Sequence, residues 1–182
     1  MVVNSQLQIV PFPLPHYLAT YFASKITTEP IISADGSYVK PFSIKRDSAF
    51  GAFIFRCFSK SEKPVVLDRG FTFFIQFKEH QTAQEANIVN ARYSFVDLKP
   101  ETVKEINKVF KAVFDESLKS YVAGAEEVTR KFVDRKRGIQ KEAIINFCKK
   151  NKVTYTNQNL QAWVKMIYRD KKRVNVNKTN VL

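Results

Sequence analysis

The spacing of hydrophobic positions changes character at Lys99-Pro100-Glu101. Before that point apolar residues come in short runs separated by polar or turn-forming breaks; after it they recur every three to four residues. Residues 7–12 read as a strand, closed by the stretch Pro11-Phe12-Pro13-Leu14-Pro15. Pro15 suits the first turn of a helix, where a missing N–H costs nothing, and Leu14, Leu18, Tyr21, Phe22 and Ile26 follow helical spacing. Residues 30–33 and 37–39 flank Ala34-Asp35-Gly36, a hairpin turn in which Gly36 can take positive φ. Residues 50–58 and 71–77 are phenylalanine-dense and both suit strands. In the second, Phe71, Phe73, Ile75 and Phe77 alternate with Thr72, Phe74 and Gln76. A polar break at 59–64, a short strand at 65–67 and a further strand at 88–96 complete an N-terminal α+β domain, residues 1–97, with a small, aromatic-rich and mostly antiparallel sheet.

Beyond Pro100, the residues Val103, Ile106, Val109, Phe110, Val113, Phe114 and Leu118 form one apolar stripe on a connecting helix, residues 98–123. Gly124 is expected to break that helix. A second helix then runs through Glu126, Val128, Phe132 and Val133, with Gly138 as its C-cap after Arg135-Lys136-Arg137. A third spans 139–150 with Ile139, Ala143, Ile144 and Phe147 inward. The fourth covers 156–172: Thr156 or Asn157 caps it, and Leu160, Trp163, Val164, Ile167 and Tyr168 fall at i, i+3, i+4, i+7 and i+8. None of these three short helices can bury its stripe alone, so together they read as a trihelical, helix-turn-helix-like unit over 124–173. A mobile basic tail, residues 174–182, is expected after it.

Charge sharpens this division. The chain has 30 Lys+Arg against 17 Asp+Glu, net +13, but residues 1–129 hold 15 basic and 14 acidic side chains while residues 130–182 hold 15 and 3. The basicity therefore belongs to the C-terminal helical unit. A nucleic acid is the expected partner, because clustered Lys and Arg gain affinity for phosphates by releasing counterions. Sixteen phenylalanines exclude a wholly disordered chain. The two cysteines, Cys57 and Cys148, form neither a disulfide framework nor a zinc knuckle, so a reducing, cytoplasmic setting is expected. The first charged side chain is Lys25, yet Pro11, Pro13 and Pro15 interrupt any spanning helix and a basic signal-peptide start is lacking; no membrane association is expected.

The last helix carries the candidate chemistry. In helix-turn-helix units the N-terminal residues of the last helix reach base edges in the major groove. Here that turn holds Asn157, Gln158, Asn159 and Gln161, and Asn and Gln can pair bidentately with adenine. Lys165, Arg169, Lys171, Lys172 and Arg173 on the same helix, and Lys149, Lys150 and Lys152 at the preceding turn, are placed for the flanking phosphates. The competing reading of an Asn at a helix start is a cap, and that of an outer Lys is a solvated surface. Duplex DNA binding is the leading expectation. Half-site recognition by such units usually comes from dimers, and the N-terminal domain or the helix over 100–122 could supply that contact.

The segments Ala143-Ile144-Ile145-Asn146-Phe147-Cys148 and Leu160-Gln161-Ala162-Trp163-Val164-Lys165-Met166-Ile167-Tyr168-Arg169-Asp170-Lys171-Lys172-Arg173 resemble the C-terminal helix pair of small proteins from Bacteroidetes phages and mobile elements. Pro13-Leu14-Pro15-His16-Tyr17-Leu18 is similar to their opening. The resemblance covers about a third of the chain, and implies a DNA-associated role in a mobile element, in transcriptional control or replication.

Enzyme chemistry finds little support. Only His16 and His80 are present, without metal-ligand partners, and there is no Gly-rich phosphate loop or nucleophile elbow. No catalytic residue, metal or cofactor is expected. One remote alternative is a Mg²⁺-dependent nuclease built on Asp68, Gln76 and Lys78 with Glu62 or Glu79, since alternation puts Gln76 and Lys78 on one strand face. The alternative of another class is an assembly or partner-binding protein whose basic end holds RNA or DNA without sequence readout.

Overall fold

The computed structural model describes residues 9–26, 29–32, 38–44, 48–61, 72–77, 95–132 and 138–179. Its elements, in order, are β1 (Ile9–Pro13), α1 (His16–Ala23), β2 (Ile31–Ile32), β3 (Tyr38–Val39), β4 (Phe42–Ile44), α2 (Ala49–Arg56), β5 (Phe58–Ser61), β6 (Thr72–Phe77), β7 (Phe95–Leu98), α3 (Pro100–Phe132), α4 (Ile139–Lys150) and α5 (Asn157–Thr179). This is a mixed α+β chain. It divides into two compact units, one of Met1–Pro15 and Lys25–Phe110, the other of His16–Ser24 and Lys111–Leu182. Residue 97, the expected edge of the first domain, falls inside the first unit, and α1 belongs to the second.

The first unit is organised around β6. This strand pairs antiparallel with β1, Phe12 opposite Phe73, and parallel with β4, Phe42 opposite Ile75. Elsewhere β2 pairs antiparallel with β3, and β5 with β7. Three of the four pairings among the described residues are therefore antiparallel, as expected. β1 is an edge strand, which is where Pro11 and Pro13, lacking N–H donors, are tolerated. Phe12, Phe73 and Ile75 are buried, and Phe73 and Ile75 share one face of β6 by strand alternation. The first turns of α3 cover them with Ile106 and Phe110: the Phe110 ring centroid lies 5.6 Å from that of Phe73, 6.0 Å from Phe12 and 5.4 Å from Phe50. Asn107 Nδ2 donates to the Pro13 carbonyl at 3.3 Å, so the helix also satisfies part of the edge backbone.

Residues 50–58 correct the expected strand. They form α2 and then turn into β5, because Ser48 accepts the Gly51 N–H at 2.9 Å and caps a helix that buries Ile54. Phe50, Phe53 and Ile54 stand at helical spacing within a segment whose Phe density also fits a strand. The expected hairpin turn at 34–36, the strand at 65–67 and residues 88–94 lie outside the described residues.

The second unit is helical. Leu18, Tyr21 and Phe22 of α1, Phe114, Leu118 and Val122 of α3, Ala143, Ile144, Phe147 and Cys148 of α4, and Leu160, Trp163 and Ile167 of α5 are all buried. Its centre is a set of rings: Phe114 lies 5.3 Å from Trp163, 5.8 Å from Phe147 and 5.1 Å from Tyr21, and Tyr17 lies 5.4 Å from Trp163. Burial, with the Asp115 carboxylate as the smaller influence, raises the Tyr17 phenol above its usual pKa.

Two further corrections concern helix ends. α3 runs unbroken through Gly124 to Phe132, so the expected break there does not occur. A single exposed glycine costs a helix about 1 kcal/mol, which a long run of good helix formers absorbs. Gly138, on the N-terminal side of α4, has φ 80°, a left-handed conformation that glycine adopts without strain, while residues 133–137, the end of the helix it is expected to cap, lie outside the described residues. The backbone of α5 continues to Thr179, through most of the expected mobile tail. Adding residues to an established helix is far easier than starting one. Among the described residues, no helix is long and apolar enough to cross a membrane.

Candidate nucleic-acid interface

The turn between α4 and α5 is defined by hydrogen bonds at both ends. Lys152 N–H donates to the Lys149 carbonyl at 3.3 Å and Val153 N–H to the Cys148 carbonyl at 2.9 Å. This is the Schellman arrangement, and the residue in its left-handed position is Lys152, with φ 52°. Buried Val153 then packs at the end of α4, and buried Asn151 donates from Nδ2 to the Phe147 carbonyl at 2.9 Å. Thr154 N–H donates to Thr20 Oγ1 at 3.1 Å, tying the turn to α1.

α5 opens with a reciprocal cap. Asn159 N–H donates to Thr156 Oγ1 at 3.2 Å, while Asn159 Oδ1 accepts from Thr156 N–H at 3.0 Å and from the Thr156 hydroxyl at 2.9 Å. Thr156 is thus the capping residue and Asn157 the first helical one. Of the expected base-contact residues, Asn157, Gln158 and Gln161 are exposed, whereas Asn159 is half-buried with its carbonyl oxygen committed to the cap.

The cations divide into two groups. Lys165, Arg169 and Lys172 are exposed on α5, as are Lys149, Lys150 and Lys152 at the turn. Lys171 is different: its ammonium pairs with both carboxylate oxygens of Glu126 on α3, and Glu126 is only 9% exposed. Beside that pair, Lys119 reaches Asp170 at 3.3 Å and Glu116 at 2.8 Å. Two ion pairs therefore hold α5 to α3. Lys150 also has a second role, its ammonium standing 5.7 Å from the Tyr121 ring centroid. For Arg173 the helix backbone is described and the side chain is not.

Helical geometry resolves what these exposures build. At 100° per residue, Gln158, Gln161, Lys165, Tyr168, Arg169 and Lys172 fall on one side of α5, opposite Leu160, Trp163 and Ile167. The outward stripe is about 21 Å long, fourteen rises of a helix. It begins with two amides and ends with three cations around an aromatic ring. Tyr168, expected in the apolar stripe, is 65% exposed and belongs to this outward face. Its position between Lys165 and Arg169 was the available signal, outweighed by its match to the i+8 position of the buried stripe.

The nuclease alternative has only Gln76, on β6, within the described residues; Glu62, Asp68, Lys78 and Glu79 lie outside them. Cys148 is fully buried, and burial pushes its thiol up to about 11, which keeps it protonated and unreactive at neutral pH.

The class these observations define is an α+β chain whose helical unit presents one polar, cationic helix face. Comparison with protein families, curated proteins and solved structures gives no match for this chain.

Proposed function

We propose that the chain binds duplex DNA, with the last part of α3, α4 and α5 acting as a helix-turn-helix-like unit and the outward face of α5 as its reading surface. Asn157, Gln158 and Gln161 meet base edges; Lys165, Arg169 and Lys172, with Lys149, Lys150 and Lys152, meet phosphates. The observation that carries this reading is the single outward stripe in which amides lead and cations follow. Amides at the leading turn and cations flanking them match the division of labour in groove-reading helices, where bases specify and phosphates position. Lys171 and Asn159 are structural in this account, one neutralising Glu126 and the other completing the cap. The role follows the resemblance of the C-terminal helix pair: transcriptional control or replication in a phage or mobile element.

Selection of bound sequences from a random duplex pool tests the reading. An enriched motif that Gln158→Ala and Gln161→Ala relax supports it. Equal displacement of every bound sequence by random DNA, or of DNA by RNA, would replace it with the non-specific assembly role.

A further inference from the structure

On the outward face of α5, Tyr168 is the side chain to which the DNA-binding reading gives no part. It is 65% exposed, and it makes no hydrogen bond, ring contact or cation–π contact with another described residue. Its ring stands in water and its hydroxyl has no acceptor among those residues, so the fold gains nothing from a tyrosine there.

The surroundings of the ring are cationic. At 100° per residue, Gln161 and Lys172 lie within about 40° of Tyr168 around the helix axis, and Lys165 within about 60°. Along the axis Lys165 precedes it by about 4.5 Å and Lys172 follows by about 6 Å, whereas Gln161 is about 10 Å back. The single acid in the sequence of α5, Asp170, falls on the opposite side and is held by Lys119 at 3.3 Å. An anion at this end of the stripe therefore meets no carboxylate from α5.

We propose that the Tyr168 hydroxyl donates a hydrogen bond to a backbone phosphate of bound duplex DNA, within the stretch of backbone that Lys165 and Lys172 meet. The inference rests on the DNA-binding reading and adds an uncharged anchor to it. Tyrosine suits the task, with an apolar body that lies along neighbouring lysine stems and a polar tip that reaches beyond them. Level with the cations and two turns past Gln161, the phenol faces backbone rather than base edges, so it positions the helix without reading sequence. A hydroxyl displaces no condensed counterion, so this contact supplies affinity that salt does not remove.

Fluorescence anisotropy across a salt series, with one duplex carrying the selected motif and one of random sequence, tests it. Tyr168→Phe should weaken both duplexes at least about tenfold, as loss of a hydrogen bond to a charged acceptor does. Its slope of log affinity on log salt and its unfolding midpoint should stay those of wild type. Lys172→Gln, by contrast, should lower the slope by about 0.9. Tyr168→Ala should bind no more weakly than Tyr168→Phe. Wild-type affinity in Tyr168→Phe would overturn the proposal, and with a loss in Tyr168→Ala it would put the ring, not the hydroxyl, on the nucleic acid. A loss confined to the motif duplex, or a lowered slope, would overturn it as well. All of these leave wild-type binding in place; failure of the wild type to bind either duplex is the separate result that removes the DNA-binding reading, and this inference with it.

Discussion

α5 carries lysines on both of its sides, and the two sides teach different things about what a charge does in this protein. Lys171 continues the row of Leu160, Trp163 and Ile167 and ends in an ion pair with a carboxylate that is itself nearly buried. Lys165 and Lys172 stand on the opposite side beside Arg169 and Tyr168, in water. The inward lysine belongs to stability, because Glu126 would otherwise keep a buried charge without a counter-ion. The outward cations contribute almost nothing to the fold, where exposed ion pairs are worth little, and are left for a partner. Net charge in the C-terminal segment is thus not one property but two, separated by about a third of a turn of helix.

The largest effect that separates the two sides is on aromatic residues. Trp163→Ala removes the ring packed on Phe114 and Tyr17 and should destabilise the protein by about 3–5 kcal/mol in denaturant unfolding. Tyr168→Ala, five residues away but outward, should change stability by no more than about 0.5 kcal/mol. Equal effects would mean the two faces are misassigned. Next comes the paired lysine: Lys171→Ala should cost about 2–3 kcal/mol, because Glu126 is left alone, while Lys165→Ala and Lys172→Ala each stay within about 0.5 kcal/mol. The smallest expected change is a gain. Lys152→Gly relieves a side chain held at φ 52° and should stabilise the fold by about 1 kcal/mol while removing one cation from the turn. A less stable variant there would mean that Lys152 has a packing role its exposure does not show.

Much of the helical unit was legible in the pattern of residues. α4 has the expected bounds, and α5 starts within a residue of its expected cap, because strong 3–4 spacing and a Thr-x-x-Asn start are local signals. What could not be read were facts that need a distant partner. Lys171 looks like any outer cation until Glu126, 45 residues earlier, is brought beside it. Tyr168 fits the buried stripe by spacing, yet the apolar face narrows toward the end of α5 and leaves it outside. In the sheet-bearing unit, residues 50–58 satisfy both periods, and the Ser48 cap decided for helix. Gly124 misled in the other direction, since a local breaker is overridden when packing on either side favours one continuous helix.

The outward face of α5 is tested most directly by the salt dependence of duplex DNA binding. Fluorescence anisotropy across a salt series, with wild type beside Lys165→Gln/Arg169→Gln/Lys172→Gln, gives the slope of log affinity on log salt. Every phosphate left without its cation should reduce that slope by about 0.9, so the triple variant should fall by about 3 while remaining folded. An unchanged slope and affinity in a folded triple variant would show that this face of α5 does not meet DNA.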